Sequence, residues 1–264
     1  MKKILSIIAL TFSFTSNSQV LNIDREGSED TLPKKFKAYL GFSFSSDKQK
    51  KNLIDFSNST ELNYFLPKKY VALFLAKTDL ALNGTTINEN NGYFQFRIRD
   101  NDSRKVSPDF FVQYQWNGIQ GLADRRLCGL NARFKFLEKR KSDLYIGLGT
   151  FYEIENWNPF ISSYAYSNGQ IQQKVNREMF RLNISIKHAL KITENIDFSG
   201  ISFLQFPINK NFEKPRWFYD SKLNFNINKY ITLNLHYEHN LDLYRALPIE
   251  SYYYSFTTGI QIKL

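Results

Sequence analysis

The chain has 264 residues, of which 35 are lysine or arginine and 25 are aspartate or glutamate, giving a formal net charge of +10. Its longest uncharged apolar stretch, Ile4 to Phe14, is too short for a membrane-spanning helix, which needs ~20 apolar residues. Aromatic residues make up 16% of the chain, more apolar surface than disordered chains carry. Composition therefore excludes a helical membrane protein and a disordered chain, and the length fits one large all-β unit or two small domains.

The N-terminal segment has the pattern of an export signal. Lys2 and Lys3 form a positively charged start, Ile4 to Phe14 is a short apolar core, and Ser16-Asn17-Ser18 is a small-residue cleavage site. We expect residues 1–18 to be a signal peptide and the polar residues 19–34 to be a periplasmic lead-in, the alternative being a buried N-terminal strand or helix. The single cysteine, Cys128, cannot form an internal disulfide.

From residue 35 onward, apolar and polar residues alternate with a period of two, which is typical of β-strands with one apolar face. Twelve such runs follow one another. In each run, one parity, meaning the alternate residues that share one face of the strand, is free of charged residues. The first of these uncharged faces consists of Phe36, Ala38, Leu40, Phe42 and Phe44, and the last consists of Tyr252, Tyr254, Phe256, Thr258, Ile260, Ile262 and Leu264.

The connections between these runs alternate in length, which distinguishes a transmembrane barrel from a soluble sandwich. The short ones are Leu66–Lys69, Asp100–Asp109, Leu137–Lys141, Ala189–Asn195 and Asn226–Asn228; the long ones are Asp47–Asn52, Ala81–Gly92, Asn117–Arg126, Glu155–Asn176, Pro207–Pro215 and Asn240–Glu250. Outer-membrane barrels combine short periplasmic turns with longer extracellular loops. We therefore predict an all-β fold, a single transmembrane antiparallel up-and-down β-barrel of about 12 strands over residues 35–264.

Aromatic residues border several of these connections. Trp116, Trp157 and Trp217 lie next to long loops, and Tyr64, Tyr70 and Tyr230 border short turns. Such placement is typical of interfacial aromatic girdles, the alternative being ordinary core aromatics. The loop from Glu155 to Asn176 is open to two interpretations, an extracellular contact surface or a constriction folded inward.

The alternate polar residues of the strands are the candidate lining of the barrel lumen. Basic residues outnumber acidic ones on it, and the predicted pore-lining residues are Lys77, Arg97, Arg99, Arg133, Lys135, Arg181, Lys222, Glu61, Asp79 and Glu238. Two arrangements fit these charges: opposite signs can pair into a network that plugs the barrel, or a water-filled pore can keep them hydrated and favour anions.

Catalytic and metal-binding patterns are weak in this sequence. On a strand His236 and His239 would point to opposite faces, so the sequence predicts no metal site, although His236 and Glu238 share the polar face. His239 near Ser251, Ser255 or Asp242 is the only arrangement that a hydrolase could use, and its spacing singles out none of them. We expect no enzyme activity, no cofactor and, because the basic residues are dispersed, no nucleic-acid partner.

The segment containing Gly118, Gly121, Leu122, Arg126, Leu127, Gly129 and Leu130, followed by Tyr145, Gly147, Gly149, Tyr152 and Glu153, resembles a known exported family. The chain from Gly92 to Leu264 is similar to the salt-induced outer-membrane protein family, domain of unknown function 481. The resemblance implies an outer-membrane barrel and brings no catalytic residues.

These patterns predict an outer-membrane protein that acts as a narrow, anion-leaning channel or as a structural barrel of the envelope. The expected partners are outer-membrane lipid, the barrel-assembly machinery, which would read the C-terminal strand during insertion, and small anions or solutes. Two alternatives remain open from the sequence: an outer-membrane enzyme of the lipase or protease type, and a soluble periplasmic β-sandwich or lipocalin-like binder.

Overall fold

The computed structural model describes residues 35–48, 52–67, 70–100, 105–139, 141–161, 173–209, 212–228, 231–247 and 249–263. The predicted signal peptide and lead-in lie outside the described residues. The twelve strands are β1 (Phe36–Lys48), β2 (Asn52–Phe65), β3 (Tyr70–Asn83), β4 (Thr86–Asp100), β5 (Val106–Asn117), β6 (Leu122–Lys139), β7 (Ser142–Trp157), β8 (Val175–Lys191), β9 (Ile196–Pro207), β10 (Arg216–Asn226), β11 (Ile231–Asp242) and β12 (Tyr252–Lys263). A short 3-10 turn, Pro159–Ile161, follows β7.

The strands form a closed barrel in which each pairs antiparallel with its neighbours in sequence, and β12 pairs with β1. Among the described residues this closing ladder is short and has two register pairs, Tyr39 opposite Lys263 and Leu40 opposite Ile262. The predicted twelve-strand up-and-down barrel is therefore confirmed. No helix among the described residues is long and apolar enough to cross a membrane.

The uncharged parity of each strand faces away from the barrel axis. Phe42 is 69% exposed, Leu130 62% and Ile260 67%, whereas the opposite parity carries the buried residues. A soluble sandwich or lipocalin would bury the apolar face, and in the described part of the chain neither a second sheet nor a helix covers it. The alternative of a soluble sandwich or lipocalin-like binder is thus wrong.

The barrel has two ends, which we name by their connections. The turn end carries the connections around residues 66–69, 101–105, 140–141, 192–195 and 227–230, and the loop end carries those around residues 49–51, 84–85, 118–121, 158–174, 208–215 and 243–251. The tightest connection at the loop end is a two-residue turn at Gly84 and Thr85, where Gly84 has a φ of 66° that an L side chain rarely adopts.

That turn corrects the prediction of a long loop from Ala81 to Gly92. Strand β3 continues to Asn83 and β4 begins at Thr86. The sequence there lacks apolar alternation because the strands extend beyond the uncharged belt. Two outward charges near the loop end, Arg126 of β6 and Glu178 of β8, show where the uncharged belt ends. Both are register partners of Ile154, so they lie at the same height on the outer surface.

The aromatic residues only partly follow the predicted girdles. Trp116 donates to Asn90 Oδ1 and Trp217 donates to Ser202 Oγ, both on the outer surface near the loop end. Trp157 instead lies buried inside the barrel, so its assignment to a girdle is wrong. The reason is parity: Trp157 is an odd-numbered residue on β7, and the odd parity of β7 faces the lumen. At the turn end Tyr64 and Tyr70 are exposed, and Tyr230 lies outside the described residues.

Candidate functional site in the barrel lumen

All ten predicted pore-lining residues occupy inward-facing strand positions. Seven of them have little exposed surface: Glu61, Asp79, Arg97, Arg99, Arg181, Lys222 and Glu238. Lys77, Arg133 and Lys135 are half-buried. Their assignment to a conducting pore stays a prediction. Their degree of burial shows that the inward face is packed against other protein groups over much of the barrel interior.

Arginines and carboxylates form a buried cluster toward the loop end, which we call the arginine–glutamate network. It comprises Arg125, Arg177, Arg181, Arg216, Glu153, Glu155 and Asp242. Glu153 accepts hydrogen bonds from Arg125 and Arg181, and Glu155 accepts from Arg177 at 2.5 Å. Burying these charges is tolerated because each has an oppositely charged partner.

Arg216 carries the network across the lumen. Arg216 Nη2 on β10 donates to Glu155 Oε1 on β7 at 3.1 Å, although β8 and β9 separate these strands along the wall. The same Arg216 nitrogen donates to Asp242 Oδ2 on the neighbouring β11 at 2.7 Å. Arg216 therefore ties one side of the wall to another across the space that a channel would keep open.

Above the network, a cluster of apolar side chains lies at the loop end, which we call the apolar cap. Leu122, Trp157 and Leu247 are buried against one another, and Val175, Ala246 and Ile249 pack on them. Leu247 belongs to the connection between β11 and β12, so this loop folds back over the mouth. Arg177 holds the loop in place, since its Nη1 donates to Tyr244 O at 2.9 Å and its guanidinium lies 4.7 Å from the Tyr244 ring centroid.

Below the network, a layer of apolar side chains fills part of the barrel interior. It consists of Phe111, Leu127, Phe151, Ile201, Phe203 and Phe218, which come from five strands. Gly129 makes room for it: a Cβ at this position would lie 2.5 Å from Phe151 Cβ and 2.8 Å from the Phe111 ring. The glycine on which the family resemblance partly rested thus has a packing role.

A second charged cluster, which we call the histidine cluster, comprises Lys77, Asp79, Asp220, His236 and Glu238. His236 Nε2 lies 2.9 Å from Asp220 Oδ2 and 3.5 Å from Glu238 Oε1. Lys77 Nζ on β3 lies 3.9 Å from Glu238 on β11, so this contact also joins strands that are not neighbours in the wall. The ligand-type atoms of Asp220, His236 and Glu238 lie within 4.8 Å of one another, but the lysine ammonium already supplies a cation to this cluster.

The histidines do not form the hydrolase arrangement considered from the sequence. His239 faces outward and packs on Trp217 and Tyr252, with ring centroids 4.6 and 5.0 Å away. Ser255 is buried on the inward face, where it is the register partner of Glu238, and Asp242 is bound by Arg216. The pairing of His239 with Ser255 or Asp242, which the sequence left open without singling it out, is therefore not formed, because His239 lies on the opposite side of the wall from both.

Sequence reasoning missed part of the arginine–glutamate network. Arg125 and Glu155 fell within predicted loops, although both belong to strands. A period-two signal was present: Arg125 precedes Leu127 by two residues, and Glu155 follows Glu153 by two. Asp220 in the histidine cluster was likewise not linked to His236, because only the register of β10 on β11 brings them together.

No protein-family model and no curated protein matches this sequence. The resemblance to the salt-induced outer-membrane protein family therefore stays a prediction. Among solved structures, the chain is similar to the NanC porin, with 10% identity, a TM-score of 0.47, and coverage of 86% of this chain and 100% of that one. A refined porin structure gives 8% identity, a TM-score of 0.33, and coverage of 87% and 98%. At TM-scores below 0.5 these likenesses give no basis for an inference about this chain.

Proposed function

We propose that this protein is an outer-membrane β-barrel whose lumen is closed by its own side chains and that it serves as a structural barrel of the envelope. The observation that carries the proposal is the bridge from Arg216 to Glu155 across the lumen, with an apolar cap on one side of it and an apolar layer on the other. An open diffusion pore would keep these groups apart and hydrated.

The membrane location is supported by the outer surface of the barrel. A broad belt of exposed apolar side chains surrounds it, and in water such a surface would drive aggregation. Hydrocarbon is the environment that accepts this surface, and backbone groups that are paired in the strand ladders need no water there. The outward charges of Arg126 and Glu178 lie beyond the belt at the loop end, where lipid headgroups or water can solvate them.

Catalysis has little support in this geometry. The arrangement sought for a hydrolase needs a serine activated by a nearby histidine, and His239 and Ser255 face opposite sides of the wall. His236 lies in the lumen, hydrogen-bonded to a carboxylate and surrounded by charged groups. We therefore propose a structural role and not an enzymatic one.

A narrow, anion-leaning channel is the second candidate. It is favoured by cationic side chains at the turn end of the lumen, where the half-buried Arg133 and Lys135 lie 5.7 and 6.0 Å from the centroid of the Tyr145 ring. For conduction, the arginine–glutamate network and the cap would have to separate, which breaks several buried ion pairs at once.

Liposome experiments test both candidates. The mature chain is refolded into vesicles, and flotation with the vesicles confirms insertion. The closed barrel is expected to admit neither small sugars in a swelling assay nor chloride in a dye-quenching assay. Chloride entry without sugar entry would replace the structural role by the narrow channel, and failure to float with vesicles would overturn the membrane assignment.

A further inference from the structure

The ladder between β1 and β12 is much shorter than the other ladders of the barrel. The last of its two register pairs is Leu40 with Ile262, whereas the ladder between β1 and β2 runs along the whole of β1. Toward the loop end, residues 41–48 of β1 and 252–261 of β12 have no register partner across this junction among the described residues. We call this part of the junction the seam.

Side chains beside the seam are more exposed than their partners on the next strand. Phe44, on the outward face of β1, is 69% exposed, but its register partner Phe56 on β2 is 37% exposed. On the other side of the seam, Ile260 of β12 is 67% exposed and its register partner Leu233 of β11 is 41% exposed. These differences indicate that each edge strand lacks a close neighbour on its seam side.

The sequence also permits a closed seam. If the antiparallel register that places Leu40 opposite Ile262 continued, Phe42 would lie opposite Ile260. Both residues face outward, so closure would keep the uncharged face toward lipid. Unpaired backbone N–H and C=O groups are costly in hydrocarbon, which favours the closed form inside a bilayer. The same two strands are therefore compatible with an open and a closed seam.

An ion pair inside the barrel spans the seam. Lys77 Nζ of β3 lies 3.9 Å from Glu238 Oε1 of β11. In the wall, β2, β1 and β12 separate these two strands, and the seam lies between β1 and β12. The residues in register with this pair on the intervening strands are small, namely Ser59, Gly41 and Ser255. Small residues at these positions leave room for the lysine and the glutamate to meet behind the seam.

Each end of this ion pair is anchored on its own side of the seam. Lys77 Nζ also lies 3.9 Å from Asp79 Oδ2, and Asp79 Oδ1 accepts a hydrogen bond from Ser57 of β2 at 2.7 Å. On β11, Glu238 Oε1 lies 3.5 Å from His236 Nε2. The pair therefore ties β2 and β3 on one side of the seam to β11 on the other.

We propose that the seam is a lateral gate between β1 and β12, which opens toward the loop end, and that the Lys77–Glu238 ion pair limits how far it opens. An open gate connects the polar lining beside these two strands with the surrounding membrane. This inference goes beyond the structural role of the barrel. It concerns an opening in the wall, whereas the arginine–glutamate network and the apolar cap lie on the axial path.

Hydrogen–deuterium exchange of the refolded mature chain in vesicles tests the gate. About half of the backbone N–H groups of each edge strand point toward the seam, because these groups alternate sides along a strand. In residues 41–48 and 252–261 they should exchange at least about tenfold faster than the N–H groups of β2 and β11, which are paired on both sides. Equal protection of all four strands would overturn the gate.

Glu238→Gln tests the role of the ion pair. The substitution removes the negative charge that holds Lys77 across the seam and should speed exchange along the seam several-fold. Asp109→Asn is the matched control, because it breaks a buried ion pair of 2.8 Å with Arg97 between the neighbouring strands β4 and β5. Heat-modifiable gel mobility verifies folding. Equal acceleration at the seam in both variants would overturn the role of the ion pair.

Cysteine pairs supply a test that leaves the buried charges intact. In a Cys128→Ser background, Phe42→Cys and Ile260→Cys would face each other only when the seam closes, whereas Leu233→Cys and Ile260→Cys are register partners. A disulfide needs Cα atoms about 4.4 to 6.8 Å apart, so the seam pair should form more slowly than the control pair under a mild oxidant. Once formed, it should suppress the fast exchange of residues 41–48.

The cross-linking results decide between a gate and a static wall. Equal rates for the two cysteine pairs would mean that the seam is an ordinary closed ladder. A seam pair that never forms its disulfide would mean a fixed opening, and unchanged exchange after cross-linking would mean that the fast exchange has another origin. Each of these three results would overturn the gate, and none of them depends on whether the axial path conducts ions.

Discussion

Arg216 of β10 and Glu155 of β7 form a hydrogen-bonded ion pair of 3.1 Å across the barrel lumen, and both side chains are almost completely buried. Glu155 is also bound by Arg177 at 2.5 Å and lies 3.3 Å from Arg125 Nε, so it is the anion around which three arginines gather. Glu153 is a second such anion, because it too has three arginine partners, and the two glutamates together hold the network.

Replacing Glu155 by glutamine should destabilise the barrel by about 3 kcal/mol or more, because it leaves three buried arginines short of a partner. Arg126→Gln is the control, since its pair with Asp124 is largely exposed and should contribute at most about 1 kcal/mol. Urea titrations of the refolded proteins in vesicles measure both. Equal losses in the two variants would show that the buried network does not stabilise the fold.

A second prediction tests whether the outer surface of the barrel contacts lipid or water. Leu148 lies at the middle of the outward face of β7 and is 48% exposed. An arginine in its place should cost about 2 to 4 kcal/mol if that face meets the bilayer midplane. Ile87, beside the Gly84 turn and 59% exposed, should accept arginine at about 0 to 1 kcal/mol because it lies near or beyond the interface. A Leu148→Arg variant as stable as the wild type in vesicles would argue against lipid contact.

Much of the fold can be predicted from alternation alone. The run from Phe36 to Phe44 keeps charge off one parity, and a strand in lipid requires that over its whole length. The prediction of strand ends is wrong where that requirement no longer applies. Around Thr86 and Glu155 the strands extend beyond the uncharged belt, so the alternation of apolar and polar residues fades although the strands remain paired.

The candidate site is less predictable than the fold. The identity of the inward residues follows from parity, but their partners do not. The pairing of Asp220 with His236 requires the register of two strands, and that of Arg216 with Glu155 requires the curvature that brings β7 and β10 together. Neither quantity is encoded in the local pattern of any single strand.

Packing under the network supplies a third prediction. Gly129→Ala should destabilise the barrel by about 1 to 3 kcal/mol, because the new methyl meets Phe151 Cβ at 2.5 Å and the Phe111 ring at 2.8 Å. Gly200→Ala is the matched control: its Cβ would have no neighbour closer than 3.4 Å, an ordinary van der Waals contact. The unfolding temperatures of the two variants are compared in detergent. If Gly129→Ala unfolds at the same temperature as the control, the apolar layer is loosely packed.

The cap leads to a fourth prediction, read by limited proteolysis. Leu247 anchors the loop between β11 and β12, and exposed Arg245 in the same loop is a trypsin site. Leu247→Ala should release the loop and speed cleavage after Arg245 several-fold, since opening of the loop then costs less free energy. Leu243→Ala, which removes an exposed leucine from the same loop, should leave the cleavage rate unchanged. Similar cleavage rates in the two variants would show that Leu247 does not hold the loop.

The most direct test of the closed lumen is the ionic current through the wild-type protein in a planar lipid bilayer. Insertion is verified by recovering folded, heat-modifiable protein from the same lipid. We predict that the wild type gives no conductance steps in potassium chloride at any concentration, because the cap, the arginine–glutamate network and the apolar layer occupy the path. Stable conductance steps from the inserted wild type would contradict closure and identify the barrel as a channel.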